Sequence, residues 1–176
     1  RFARSRFLAV AKFYTWNFGR EVQTDGLFTF GNVELKNYWT VFANVGLFRH
    51  AQDDRATRGG PSMLSPSAAN GSIGVEGDGR KKISAGGNFN FNRDDAGGWS
   101  RGFSLNVRYR PAASLEISAG PGFGRRHELA QYVDAFADPI VTGTYGSRYV
   151  FSTLDQEEFS LQTRVNYVMS PKMSLQ

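Results

Sequence analysis

The sequence predicts an all-β protein, an antiparallel up-and-down meander that forms part of a transmembrane β-barrel. Three observations carry that expectation. Apolar and polar residues alternate with period two through most of the chain, the alternating segments run to about ten residues, and the connectors between them alternate between short and long. Successive strand side chains point to opposite faces, so such a pattern marks a sheet with one apolar and one polar side.

The clearest segment is residues 158–169. Phe159, Leu161, Thr163, Val165, Tyr167 and Met169 fall on one face, and Glu158, Ser160, Gln162, Arg164 and Asn166 on the other. Residues 102–110 set Phe103, Leu105, Val107 and Tyr109 against Ser104, Asn106, Arg108 and Arg110. Residues 114–124 set Leu115, Ile117, Ala119 and Phe123 against Ser114, Glu116, Ser118, Gly120 and Gly122, and residues 82–92 set Ile83, Ala85, Phe89 and Phe91 against Ser84, Asn88, Asn90 and Asn92. Residues 38–48 alternate more weakly, 71–77 form a short segment, and in 26–36 Phe28 and Phe30 blur the polar half. Residues 7–18 are extended but aromatic on both faces.

Short connectors fall at 36–37, 77–80, 111–113 and 170–172, each with Gly, Asn or Pro to make a tight turn. Long ones fall at 19–25, 49–70, 93–100 and 127–155. A strict short–long order puts the two kinds at opposite ends of one sheet of about eight strands plus the start of a ninth. The chain reads as a single barrel segment, residues 1–176, cut at both ends from a longer polypeptide. Arg1 opens inside an ordered pattern without an initiator Met or signal peptide, and 173–176 look like a strand just begun.

Composition narrows the chemistry. The 20 glycines in 176 residues and an aromatic share of 14% exceed ordinary usage, which favours β-structure over helical bundles and argues against disorder. The absence of cysteine removes disulfide scaffolds, thiol nucleophiles and thiolate metal sites. Net charge is +5, yet the basic residues are scattered except for Arg80-Lys81-Lys82 and Arg125-Arg126. No face gathers enough of them to track phosphates, so no nucleic-acid partner is expected. No phosphate loop, dinucleotide fingerprint or nucleophile elbow occurs, and no cofactor is expected; Gly120-Pro121-Gly122-Phe123-Gly124 sits inside a strand pattern.

A soluble sandwich also alternates. The membrane reading rests on strand length, on a polar face rich in Asn, Ser, Gly and Arg, and on Tyr38, Trp39, Trp99, Tyr109 and Tyr167 near strand ends, where bilayer interfaces favour them. A sandwich would more often show Greek-key crossings than a plain meander.

On the membrane reading, Arg108, Arg110, Arg164, Glu116, Asn106 and Asn166 line the lumen, with Lys82 and Lys12 on the same side, opposite Glu34, Glu116 and Glu158. They would make a charged constriction, or cross-strand pairs that hold the wall. The loop Asp53-Asp54-Arg55-Ala56-Thr57-Arg58-Gly59-Gly60-Pro61 is a self-satisfied ion-paired turn built on Asp53, Asp54, Arg55 and Arg58, a loop folded into the lumen that sets pore charge, or a calcium clamp using Asp53 and Asp54. Two adjacent Asp residues supply few of the six to eight oxygens that calcium takes, which favours the turn. Trp16, Trp39 and Trp99 suit interface anchoring better than sugar stacking. No spacing among Asp134, Asp138, Asp155 and Glu157 singles out a glycosidase pair, so no catalytic or metal residues are assigned.

Several motifs in order carry a family resemblance: residues 53–61, Ala96-Gly97-Gly98-Trp99-Ser100-Arg101, Ala130-Gln131-Tyr132-Val133, Arg148-Tyr149-Val150-Phe151 with Leu154-Asp155-Gln156, and Asn166-Tyr167…Ser170-Pro171…Ser174-Leu175-Gln176. Over residues 26–176 the chain resembles the C-terminal β-barrel region, a domain of unknown function, of bacterial surface proteins that carry an N-terminal family-9-like carbohydrate-binding domain. The resemblance implies a Gram-negative outer membrane and a missing N-terminal domain, and it implies no particular activity. The expectation is therefore a porin-like outer-membrane segment acting as a pore or surface platform. Its partners would be outer-membrane lipid and carbohydrate or other small hydrated solutes. The alternatives are a soluble β-rich carbohydrate-binding module or a surface glycan hydrolase.

Overall fold

A computed structural model describes residues 2–170 and 173–175. Arg1, Pro171, Lys172 and Gln176 lie outside the described residues, and with them part of the expected 170–172 turn. The fold is all-β. Strands β1 (Ala3–Trp16), β2 (Val22–Leu35), β3 (Thr40–Phe48), β6 (Ala68–Glu76), β7 (Ile83–Asp94), β8 (Trp99–Ala112), β9 (Leu115–Ala137), β10 (Ser147–Ser170) and the three-residue β11 (Met173–Leu175) form one antiparallel sheet in chain order. Two short strands, β4 (Ala51–Asp53) and β5 (Met63–Ser65), make a separate hairpin between β3 and β6. Eight long strands and the start of a ninth thus follow one another without a crossover. The sheet is open: among the described residues β1 pairs only with β2, and β11 only with β10.

Register turns the sequence alternation into two faces, because directly paired residues of an antiparallel ladder share a side. Following the pairs from Leu27↔Leu47 and Val33↔Val41 through Val45↔Gly71, Ile73↔Phe89, Phe89↔Phe103, Phe103↔Phe123 and Phe123↔Phe159 traces a single apolar face across seven long strands. Leu8 and Val10 of β1 extend it opposite Gly31 and Thr29. On β10 the band runs from Phe159 to Tyr167, roughly 26 Å at about 3.3 Å per residue. Aromatic residues end it on both sides: Trp39, Tyr109 and Tyr167 near the short turns, and Tyr14 and Trp99 near the other connections.

The other face is polar. It carries Asn44, Asn70, Ser72, Asn88, Asn90, Ser104, Asn106, Ser118, Gln162 and Asn166 on neighbouring strands. Its one apolar region is at β1–β3, where Phe7, Phe13, Phe28, Phe30, Phe42 and Phe48 lie on the polar side. The rings pack on one another, with Phe7–Phe30 centroids at 5.7 Å and Phe13–Phe48 at 5.9 Å, and they cover glycines of adjacent strands. A Cβ at Gly74 would overlap the Phe42 ring, and one at Gly26 would lie 2.8 Å from Phe13. Glycine is needed there because the ring of one strand occupies the side-chain position of the next. This cluster accounts for the blurred alternation of Phe28 and Phe30 and for the two-sided aromatics of β1.

Among the described residues nothing covers the apolar face. Ala51 is the one buried hydrophobic residue among those described, and no large side chain is fully buried. Leu105 is 42% exposed, Phe103 48% and Leu161 60%. The sheet is a single layer.

Three expectations about the connectors need correction. Residues 19–25 and 93–100 are not long connectors: β2 already begins at Val22, and β7 and β8 leave only 95–98 between them, fewer residues than the 77–82 connection of β6 and β7, so short and long connectors do not strictly alternate. Residues 127–155 are not a long loop: β9 and β10 continue past the last β8 partner, Trp99↔His127, and pair as far as Ala137↔Ser147. The projecting hairpin leaves only 138–146 as connection, with a single 3-10 turn at Thr142–Thr144. Register shifts near Leu154 and Phe151 break strict alternation there, which hides the strands from a period-two reading. Turn chemistry also differs. At 36–37 the positive φ falls on Tyr38 (66°), while Asn37 accepts the Trp39 N–H through its side chain. In 77–80 neither glycine has positive φ, and Asp78 accepts the Arg80 N–H instead.

Replacing Gly74 with Val should displace the Phe42 ring and destabilise the fold by about 1–3 kcal/mol. Denaturant unfolding should show this loss, and Phe42→Ala in the same background should recover part of it, because the second change removes the overlap.

Candidate functional site

The polar face and the two sheet ends hold the chemistry. All six residues expected on the luminal side (Asn106, Arg108, Arg110, Glu116, Arg164 and Asn166) lie on this one face, close to the short turns. Glu116 is their centre. Arg110 donates from Nε to Glu116 Oε2 at 2.5 Å, Arg108 Nε lies 3.7 Å from Oε1, and Asn166 hydrogen-bonds to the same carboxylate. Arg164 donates to Asn166 Oδ1 at 2.9 Å, and Asn106 donates to Glu76 Oε2 at 3.3 Å. Arg110 also reaches the Gly79 carbonyl at 2.8 Å, tying the wall to the 77–82 turn. Cross-strand pairing is thus in place: it sets two arginines and Asn166 around one glutamate on the polar face, with Arg164 joined through Asn166. Lys12 departs from its expected side: it is registered with Leu27 of the apolar face and forms an ion pair with Asp25 at the border of the band.

A second polar cluster at the same end has no counterpart in the sequence reading. Tyr38 lies between two guanidinium groups, Arg80 at 3.2 Å and Arg4 at 3.9 Å from its ring centre. Arg80 is held by both Asp78 oxygens at 2.8 Å, and Arg4 by Glu34 at 3.2 Å. Hydrogen bonding from Arg80 holds the buried Asp78 carboxyl down to about 2, and the bond to Asp78 raises Arg80 above its ordinary value. Hydrogen bonds from Arg80 and then Arg4 hold the Tyr38 phenol below its ordinary range. The nearest sequence signal is Asp78 two residues before Arg80, but the partners arrive from the β2–β3 turn and from β1, which sequence proximity does not reveal.

At the opposite end, residues 49–67 form a strap. Asp53 Oδ1 accepts the backbone N–H groups of Arg55 at 2.8 Å and Ala56 at 3.1 Å, while Thr57, buried at 3% exposure, donates to the Pro61 carbonyl at 2.9 Å. Asp54 lies 3.9 Å from Arg55, and Arg58 (φ 54°) and Gly59 (φ 109°) make the left-handed bend. The Asp53 carboxylate is thus engaged in holding the turn, and among the described residues no group of three or more acidic or imidazole side chains is arranged to hold a metal ion. The strap is anchored on both sides. Ser62 donates to Glu21 of the β1–β2 connection at 3.3 Å, and Arg58 lies 4.6 Å from the Tyr132 ring centre on the projecting hairpin. Gly60 packs against Tyr149 of that hairpin so closely that a Cβ would overlap the ring.

The strap therefore passes β7 and β8 to reach β9 and β10. It roofs a cavity of about 460 Å³ whose lining includes Asp53, Leu64, Asp94, Trp99, Arg126 and His127. Compared with known proteins, the chain matches no family model, no curated protein and no solved structure. Three of its polar lining side chains are engaged in internal bonds: Arg126 with Gln156 at 2.8 Å, His127 with Asp155 at 2.7 Å, and Asp94 with the Gly98 N–H at 2.8 Å. Trp99 is stacked on His127 at 6.3 Å, and Trp39 sits at the other border of the apolar face.

Two predictions follow from these clusters. Because the Asp78 carboxyl is depressed from 3.8 to about 2, the stability contributed by its pair with Arg80 is complete above about pH 4 and disappears as pH falls towards 2. An unfolding series across that interval should show a steeper loss for the wild type than for Asp78→Asn. At the other end, Gly60→Leu should push the strap off Tyr149. Limited trypsin digestion should then cleave after Arg55 and Arg58 faster than in the wild type while the sheet core stays protected.

Proposed function

We propose that this chain is a segment of an outer-membrane β-barrel acting as a pore or surface platform, as its resemblance to bacterial surface proteins implies. One observation supports this reading above the others: a continuous apolar face spans eight long strands, is bordered by aromatic residues at both ends, and is covered by none of the described residues. Hydrocarbon is the medium that such a single layer fits. Strands suit it because the ladder satisfies every interior backbone group, and a closed wall leaves no edge. The open sheet seen here closes, on this reading, with further strands.

The function that follows is passive and physical. The polar face would line a water-filled passage, with Arg108, Arg110 and Arg164 grouped around Glu116 as the charged section that discriminates among solutes. The strap would narrow the other end over the roofed cavity. Carbohydrate is the solute class implied by the resemblance, and uptake or surface binding of it is part of this proposal.

Adjacent residues on opposite faces make the test sharp. Leu105→Arg should impair membrane insertion by about 2–4 kcal/mol, the cost of Arg on a lipid-facing position, while Ser104→Arg should be nearly neutral. Folding into vesicles, read by heat-modifiable migration in SDS, should separate the two variants. A wild-type chain that is monodisperse without detergent would sink the membrane reading. Discrete current steps in planar bilayers test the pore; their absence would leave a surface platform.

A further inference from the structure

The short-turn end carries an unusual division of charge. Every acidic side chain at this end is already engaged: Glu34 with Arg4, Asp78 with Arg80, Glu116 with Arg108 and Arg110, and Glu76 with Asn106. Three of these four lie on the polar face and the fourth in the 77–82 turn. Several cations at the same end have no such partner. Lys36 and Lys82 are exposed and form no ion pair among the described residues, and the same holds for Arg6, on the apolar side opposite Val33. Lys81, also exposed, meets only the field of Asp78, whose oxygens Arg80 occupies.

Lys36 lies in the β2–β3 connection and Lys81 and Lys82 in the β6–β7 connection, at the end of the sheet where Tyr109 and Tyr167 close the apolar band; the Lys82 carbonyl accepts the Arg110 N–H, so Lys82 continues the polar-face register as expected. At the opposite end Lys12 and Arg49 pair with Asp25, Arg125 with Glu157 and Arg148 with Asp138, while Arg20, Arg58, Arg93 and Arg101 form no ion pair among the described residues. We infer that the short-turn rim formed by Arg6, Lys36, Lys81 and Lys82 binds the phosphate of anionic phospholipid headgroups. The inference rests on the membrane reading and names the lipid that this end selects. Charge complementarity carries it: unpaired cations stand at the depth where an aromatic border meets headgroups, and each basic residue near an anionic surface adds attraction.

Fluorescence of Trp39 reports on this rim. In the full chain carrying Trp16→Phe and Trp99→Phe, Trp39 is the remaining tryptophan. Reconstitution into phosphatidylcholine vesicles with a small share of brominated phosphatidylglycerol should quench it more than the same share of brominated phosphatidylcholine. A preference of roughly fivefold in relative association corresponds to one such contact. The preference should vanish in Lys36→Gln/Lys81→Gln/Lys82→Gln, which removes only exposed and unpaired side chains, and should fall with added salt. Spin-labelled phosphatidylglycerol and phosphatidylcholine on the unmodified chain give the same comparison without the tryptophan changes. Equal quenching by the two lipids overturns the headgroup assignment and leaves the membrane reading standing. Quenching by neither overturns both.

Discussion

A sheet that does not pack on anything must be stabilised by its ladder and by the medium that meets its apolar side. Here the ladder is long and continuous, with β1, β2 and β8 of 14 residues each and β9 and β10 longer still. The medium is the open term. In an ordinary domain the faces of two layers bury one another and the apolar area removed from water stabilises the fold. In this chain that area stays exposed among the described residues, and on the membrane reading proposed above hydrocarbon supplies the missing apolar contact. On that reading the aromatic borders, the proposed basic rim and the choice of which face carries charge belong to one arrangement.

The polar face follows a different logic. Its charged groups are arranged as small cross-strand networks, with Glu116 shared by two arginines and Asn166, and Asp78 clasped by Arg80 beneath Tyr38. A carboxylate that accepts several charge-assisted bonds fixes the side chains around it, so the turn end is held more rigidly than isolated surface pairs would hold it. Glycine enters where neighbouring side chains need the space, as at Gly74 beneath Phe42 and Gly26 beneath Phe13. The phenylalanine cluster is therefore part of the sheet's packing, and it holds the first three strands together on the polar side.

The strap adds a long-range constraint. Residues 49–67 join the β1–β2 connection to the β9–β10 hairpin, two regions distant in strand order, through Ser62–Glu21 on one side and Arg58–Tyr132 and Gly60–Tyr149 on the other. A loop fastened at both sides has less freedom than its length suggests. It also explains why β9 and β10 project beyond their neighbours: the projection provides the surface on which the strap rests.

Period-two alternation in residues 82–92, 102–110, 114–124 and 158–169 was enough to determine the all-β class and the common face of Asn106, Arg108, Arg110, Glu116, Arg164 and Asn166, while the turn residues between segments indicated the chain-order meander. It is a local property of each strand, and register in an antiparallel meander with tight turns leaves little choice of partner. Tertiary structure decided what depends on partners from distant strands. It placed Phe28, Phe30 and Phe42 on the polar side, moved Lys12 to the apolar border, gathered Arg4 and Arg80 on Tyr38, carried β9 and β10 through a segment that bulges had disguised, and laid the strap across to Tyr132 and Tyr149. Sequence spacing encodes which way a side chain points from its own strand, but not what another part of the chain brings to meet it.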